Sequence, residues 1–579
     1  MANQDQLVQL QNDLVTSGTG IRVYVRGTPQ YKDAIVHRFP NGITEVTRYI
    51  VEPSNEMNLR GLMELLAKKK IPFGLKSGGH ISIPKIYPGS KEGVIIYMRQ
   101  FKHIHYDEEK KTLDVGAGVI WKDVYKYLEP FVSAASDDAP GIVGGDPLVG
   151  VSGWLLGGGY SLLTNKFGLG IDNIVGFRIL LPGAKAVCNV NSEENHDIFE
   201  ALKGGGHNFG IITQFTLRVH KHAKRTAPVI SKEFPESESS SVKDFLIKFI
   251  RDEARPEEAV VVAAFRHDLE DNKLKSFIPL TAWNTDISFC QNTRGSETRE
   301  LAQLSLRGGD NLSGSDAVQA FDSQSQGPPS MSLAEAYEAF SLRNSPVPVS
   351  LKTLQANFHS VNLEPSSEIG RNILNADLID TKLFTSLQIG NKIERDSLAM
   401  FAAGNSVVAS LESPPDLRGR MACIMVTTYT RTLIDEAENS AKRLSLLMAA
   451  NHGIRVSFEI WPFHKNAFNG VRQGQTAWPH VEGKVFGPLV GWFEWSGKKN
   501  DEFWLKKIAN SLEELHKVAL QENCTTEDLP KYLNLTLENT PVKDIYRDNY
   551  EKLKSLRRKY DTQNVMGLAA GFVIDAGEA

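Results

Sequence analysis

His80 closes the run Gly74-Leu-Lys-Ser-Gly-Gly-His80, whose residue types and spacing point to anion binding beside a nucleophilic or proton-handling imidazole. Lys76 and Ser77 lead into Gly78 and Gly79, which carry no bulk to oppose a tight turn, so successive N–H groups can converge on an anion. An imidazole at the mouth of such a turn is either an ordinary polar loop residue or a group held against a phosphate-bearing ligand. Two further glycine-dense stretches, residues 141–159 and 204–210, follow within one domain length. Three such turns point to a large cofactor with several phosphates.

The second stretch reads Gly144-Gly-Asp-Pro-Leu-Val-Gly-Val-Ser-Gly153, then Gly157-Gly-Gly-Tyr160. It lacks both the GxGxxG spacing and the strand-turn-helix frame of a dinucleotide fingerprint, and no P-loop pattern is present. The elements that must position these turns follow from periodicity and caps. Residues 22–53 read as short strands, Ser54 or Asn55 caps a helix with its apolar run at 59–66, and 71–74 is a strand. The turn bearing His80 therefore leaves a strand end, where sites collect. Strands are expected at 94–98 and 113–115 and a helix at 121–128. A hairpin follows at 175–181 and 186–190, then a short helix at 197–203 and a strand of period two at 211–219.

Bulk properties narrow the function classes. The 579 residues exceed one core, and 41% hydrophobic with 23% charged residues fits an ordinary globular protein. A formal net charge of -4 argues against nucleic-acid binding. No run of about 20 apolar residues exists for a membrane span, and residues 1–15 carry no secretion signal, so the expected place is the cytoplasm. Cys188, Cys290, Cys423 and Cys524 form no close pair, which argues against a zinc site or a disulfide scaffold, and no metal is expected. The sequons at Asn311, Asn523 and Asn534 carry no weight without a secretion signal.

The ordered set Lys76-Ser-Gly-Gly-His80, Gly144 to Tyr160, Lys166-Phe-Gly-Leu-Gly-Ile-Asp-Asn173 and Gly204-Gly-Gly-His-Asn-Phe-Gly-Ile-Ile-Thr213 resembles the berberine-bridge-enzyme-like branch of the vanillyl-alcohol-oxidase flavoproteins (PCMH-type). The resemblance covers residues 35–222 and returns near the C-terminus, where Tyr532-Leu-Asn534-Leu535 stands for a Tyr-x-Asn-Tyr strand and Thr562 replaces a usual proline. It implies an α+β fold of two domains: residues 1–223 and 526–579 binding FAD, and an inserted substrate domain at 224–525. In that insertion 231–254 and 260–267 read as helix then strand, and 293–346 as a polar loop or lid. Strands at 404–410, 421–430, 454–461 and 485–495, with helices at 432–451 and 502–519, fit a mainly antiparallel sheet backed by helices.

The resemblance implies FAD joined through the His80 ring, with the pyrophosphate on the turn that begins at Lys76. It places Gly145, Val149, Gly150, Ser152, Gly153, Gly157, Tyr160, Asn208, Gly210, Ile212 and Asn534 around the cofactor. Many relatives add a cysteine tether where this chain has Asp146, so a single covalent bond is expected. Asp146 is then a hydrogen-bonding loop residue or a charged group at the pyrimidine edge of the ring. Val149 matches a gate on oxygen access, where valine goes with oxidases. After Trp478-Pro-His480 the family places a carboxylate base on a strand. Here Gly487, Leu489, Gly491 and Phe493 are expected on the active face and Glu494 on the other, in a structural role. Tyr532 is the surviving candidate for the base, against a packed core tyrosine. The expected activity is oxidation of an alcohol, amine or activated C–H of a small apolar secondary metabolite, with O2 as acceptor. A redox-neutral or oxidative cyclase and a non-catalytic flavin-binding protein are the alternatives. Trp478, Trp492, Phe493 and Trp495 either line the substrate pocket or belong to the core.

Overall fold

The computed structural model describes residues 20–35, 47–83, 86–88, 93–131, 138–183, 186–223, 229–270, 272–283 and 417–577, with residues 9, 10, 12 and 13. The expected lid at 293–346, the strand at 404–410, Cys290 and Asn311 lie outside the described residues.

Strands β1 (Arg22–Val25), β2 (Tyr49–Glu52), β3 (Phe73–Lys76) and β4 (Val94–Tyr97) form a sheet in the order β1-β2-β4-β3, with β4 parallel to both neighbours. A parallel pair needs a crossover, and helix α1 (Glu56–Lys69) supplies one between β2 and β3. The helix starts where the Asn55 side chain accepts the Asn58 N–H at 2.9 Å. It buries Leu59, Leu62, Met63 and Leu66.

Strands β5 (Ile104–Asp107), β6 (Thr112–Gly116), β8 (Ile174–Leu180), β9 (Cys188–Asn191) and β10 (Ile211–Arg218) make an antiparallel sheet ordered β5-β6-β10-β8-β9. The short strands β7 (Asp138–Gly141) and β11 (His220–Ala223) pair beside it. Helices α2 (Trp121–Leu128), α3 (Val151–Leu156) and α4 (His196–Leu202) connect these strands.

The third sheet contains β12 (Val229–Pro235), β13 (Val260–Glu270), β14 (Lys273–Trp283), β15 (Leu417–Val426), β16 (Gly453–Ile460) and β17 (Gly487–Ser496), ordered β12-β14-β13-β16-β17-β15 and antiparallel throughout. Helices α5 (Ser239–Arg251), α6 (Arg431–Ser445) and α7 (Asp501–Gln521) share one core with this sheet. No helix among the described residues is long and apolar enough to cross a membrane.

Three expectations fail. The stretch expected to be helical from residue 231 begins instead with β12, which pairs along β14, and the helix starts only at Ser239. Tyr532 lies in a succession of turns, not on a strand. The faces of β17 are also reversed. Leu489 and Phe493 pack with Ile424, Phe458, Leu433 and Leu512 in the helix-backed core. The opposite face carries Val490, Trp492 and Glu494, which β16 meets with Glu459, Ser457 and Arg455.

Glu494 on that face is tied down. The Trp492 indole donates to its Oε1 at 3.0 Å, and Arg455 Nη1 stands 3.2 Å from its Oε2. Arg455 also donates to Asp268 at 2.9 Å, and Arg266 joins the same carboxylate. This charge ladder crosses β13, β16 and β17 and holds Glu494 in an ion pair.

Late residues return to the first sheet. After helix α8 (Tyr550–Tyr560), Ala569 bridges Phe73 in parallel, and the Ala570 N–H donates to Phe73 O at 2.8 Å. Asn208 accepts the Ile574 N–H at 2.7 Å and donates to Phe572 O at 3.2 Å.

Candidate functional site

The anion turn leaves the end of β3. Ser77 Oγ donates to Ala117 O at 2.7 Å, and Ser152 Oγ donates to the same carbonyl at 2.7 Å. One carbonyl thus ties the His80 turn to the start of α3. A Cβ on Gly78 would stand 2.5 Å from Gly150 N, and one on Gly150 would stand 2.5 Å from Gly78 N. The two loops touch backbone to backbone, which only glycine on both sides allows. Gly79 takes φ 76° and completes the turn.

The N–H groups of Ser77, Gly78 and Gly79 have no hydrogen-bond partner among the described residues, although Gly79 is buried. Buried amides are seldom left orphaned, and three in succession form a nest for an anion. Across from it, Gly153 is exposed on α3, and a Cβ there would meet nothing within 4 Å. Unpaired donors beside open space suit a phosphate-bearing cofactor. His80 follows the nest half-buried. The Lys76 side chain, 2% exposed, lies elsewhere: its Nζ sits 3.8 Å from the centroid of the Tyr97 ring. Burial, with Arg99 nearby, pushes its amine down to about 7.

The loop before α3 is held by its own hydrogen bonds. Asp146 Oδ1 accepts the Leu148 N–H at 2.9 Å, which gives this carboxylate a turn-forming role. Gly145 O accepts the Tyr125 hydroxyl at 2.6 Å. Val149 is half-buried, and its carbonyl accepts the Trp121 N–H at 3.0 Å.

At the other end of α3 stands Tyr532. Six residues of helix separate the ends by about 9 Å, a span suited to a cofactor with a phosphate end and a ring end. The Tyr532 oxygen accepts the Gly159 N–H at 3.3 Å and an Asn534 amide N–H at 3.3 Å. Asn534 also donates to Trp154 O at 3.2 Å, and a Cβ on Gly157 would fall 2.1 Å from its Oδ1. Tyr160 packs edge-on against Tyr532 at 5.2 Å between ring centroids and donates to Phe486 O at 2.8 Å. Burial pushes the pKa of both phenols up.

Other expected residues lie away from this line. The Asn208 side chain is engaged by Gly205, Phe572 and Ile574. Gly210 lets β10 approach Leu180 O, which a Cβ would reach at 2.4 Å, and Ile212 is buried in the core. Trp478 and Trp495 are fully buried, Trp478 with its indole on Lys531 O at 2.9 Å, and both belong to the core. Two features escaped sequence reasoning. His480 Nε2 stands 2.9 Å from both Asp172 oxygens, joining the Pro-His motif to the Gly-Ile-Asp-Asn motif. Cys423 of β15, its thiol pushed up to about 12 by burial, is among the groups that act on Tyr160 and Tyr532.

A family model described as an FAD binding domain matches residues 47–188. The fold superposes on 6-hydroxy-D-nicotine oxidase from Arthrobacter nicotinovorans with a TM-score of 0.61 at 18% identity, covering 96% of this chain and 98% of the other. It superposes on berberine bridge enzyme in complex with (S)-reticuline with a TM-score of 0.61 at 15% identity, covering 100% of both chains. The chain carries an FAD binding domain and shares the fold of berberine bridge enzyme and 6-hydroxy-D-nicotine oxidase.

Its cofactor is FAD, in keeping with the unpaired nest and the open side of α3. Among curated proteins this flavoprotein is 31% identical over 195 residues to an FAD-dependent monooxygenase of Aspergillus niger, matching 34% of this chain and 32% of the relative. It is 34% identical over 170 residues to an FAD-dependent monooxygenase of Penicillium terrestre, with 29% and 31% matched. The chain thus spans about a third of the length of these relatives.

Proposed function

We propose that this flavoprotein oxidises a small secondary metabolite at an alcohol, amine or activated C–H, with FAD tethered to His80 and O2 as the final acceptor. The observation that carries the reading is the nest of unpaired Ser77, Gly78 and Gly79 amides running straight into His80. FAD, when bound, supplies the hydride acceptor. Overall the substrate gives up two electrons and two protons, which O2 takes up as hydrogen peroxide. The chain's own contributions are distinct. The nest and Ser152 hold the phosphate end, His80 fixes the ring end, and Tyr532 handles the substrate proton at its hydroxyl. Val149 leaves room for a diatomic beside the ring.

An apolar substrate loses its support, because Leu489 and Phe493 face helices. A second reading, insertion of one oxygen atom into the substrate, is favoured by the monooxygenase names of the relatives matched over residues of the FAD-binding part. Labelled O2 separates the two: an oxidase places the label in peroxide, a monooxygenase in the product.

The tether is tested by acid denaturation of the purified protein. Yellow colour is expected to stay with the wild-type polypeptide and to leave His80→Ala. Colour lost from the wild type refutes the covalent bond.

A further inference from the structure

The Tyr532 phenol oxygen is buried in a small seat of donors. Its edges are the Gly159 N–H at 3.3 Å and the Asn534 amide at 3.3 Å. Asn534 is itself fixed. It donates to Trp154 O at 3.2 Å, and its carboxamide occupies the space a side chain at Gly157 would need. The glycines at 157 and 159 therefore bring a carboxamide and a backbone amide onto one oxygen. Both groups only donate to it, so they favour the charged phenolate over the neutral phenol.

We infer that Asn534 is a positioning residue which, with the Gly157–Gly159 turn, sets the ionisation of Tyr532 so that its oxygen can take a proton from substrate. The inference rests on the reading of Tyr532 as the proton-handling group in the proposed reaction. The step balances simply: the substrate O–H or N–H bond breaks, the proton moves to the phenolate oxygen, and the hydride of the adjacent carbon would be taken up by FAD when it is bound.

The titratable surroundings are few. Tyr160 faces the ring edge-on at 5.2 Å, Cys423 approaches from β15, and Lys531 precedes in the chain. The His480–Asp172 pair lies beyond Trp478, whose ring is 5.8 Å from both Tyr532 and His480. Of these, only Tyr160 acts as a donor to the Tyr532 oxygen, through its backbone N–H. Burial pushes the phenol's pKa up, while the Asn534, Tyr160 and Gly159 hydrogen bonds pull it down. Removing one donor to a charged oxygen is then expected to move the Tyr532 midpoint up by about one pH unit or more.

The test uses the full chain loaded with flavin and labelled with carbon-13 at the tyrosine ζ position, with Tyr532→Phe assigning the resonance. Asn534→Ala removes the donor, and Asn534→Asp keeps the shape but presents a charge of the same sign as the phenolate. The expected result is an upward shift of the Tyr532 midpoint in Ala and a larger one in Asp, with the rising limb of the kcat profile, where the base loses its proton, moving to higher pH in step. Unchanged midpoints in both variants overturn the inference, whatever happens to stability. If the midpoints shift but Tyr532→Phe keeps the wild-type rate and profile, the seat stands and the catalytic reading of Tyr532 fails.

Discussion

Gly78→Ala puts the contact between the two cofactor loops to a quantitative test. The new Cβ would stand 2.5 Å from Gly150 N and 2.7 Å from Gly150 Cα, both backbone atoms that cannot rotate away. Ordinary contact begins at 3.4 Å, so the loops must part by 3.4 − 2.5 = 0.9 Å. The φ of Gly78 is not left-handed, so the cost is steric and not conformational. Overpacking of this kind costs about 1–3 kcal/mol. The same 0.9 Å movement would stretch the 2.7 Å bond from Ser77 to Ala117 beyond hydrogen-bond length, adding about 1 kcal/mol. The expected total is about 2–4 kcal/mol. The nest amides move with the loop, so flavin retention suffers along with stability. Chemical denaturation and the flavin-to-protein absorbance ratio measure the two effects. The variant is expected to unfold at lower denaturant and to carry flavin on a small fraction of chains. A full flavin complement with an unchanged midpoint would refute the contact argument.

Gly153→Ala should behave in the opposite sense for stability, because its Cβ meets only open space on a helix. The flavin-free protein should gain up to about 1 kcal/mol, measured by denaturation, while flavin uptake falls, since the methyl fills the cradle. Asp268→Asn addresses the charge ladder. Burial alone would raise this carboxyl, but Arg455 and Arg266 outweigh it and hold the group at about 2. A folded value below the unfolded one, about 3.9, gives stability that is present above pH ~4 and lost as pH falls towards 2. The variant should therefore be less stable than wild type by about 3–5 kcal/mol at neutral pH, and the gap should narrow in denaturation curves taken below pH ~4.

Legibility in the sequence varied with the number of faces an element buries. The helix at Trp121–Leu128 and the hairpin of β8 and β9 show clear periodicity and emerge close to their expected bounds. The His80 turn was legible because backbone nests demand small residues at fixed positions. Along β17 the residues Gly487 to Trp495 are all buried, so alternation carries no sign of which side meets the helices. That ambiguity reversed the expected faces. The segment at β12 was misread because its apolar residues also suit a helix, and only pairing with β14, some forty residues later, makes it extended. The joining of His480 to Asp172 and the seat under Tyr532 depend on contacts more than three hundred residues apart in the chain, which no local pattern encodes.

The parallel bridge between Phe73 and Ala569, with Asn208 clamped on Ile574, bears on how the molecule is made. A nascent polypeptide leaving the ribosome displays the His80 turn early, but the residues that complete its sheet emerge roughly 350 positions after β11. At usual elongation speeds that is a wait of about 20–70 s. Through that interval the edge of the first sheet at Phe73 lacks its last neighbour.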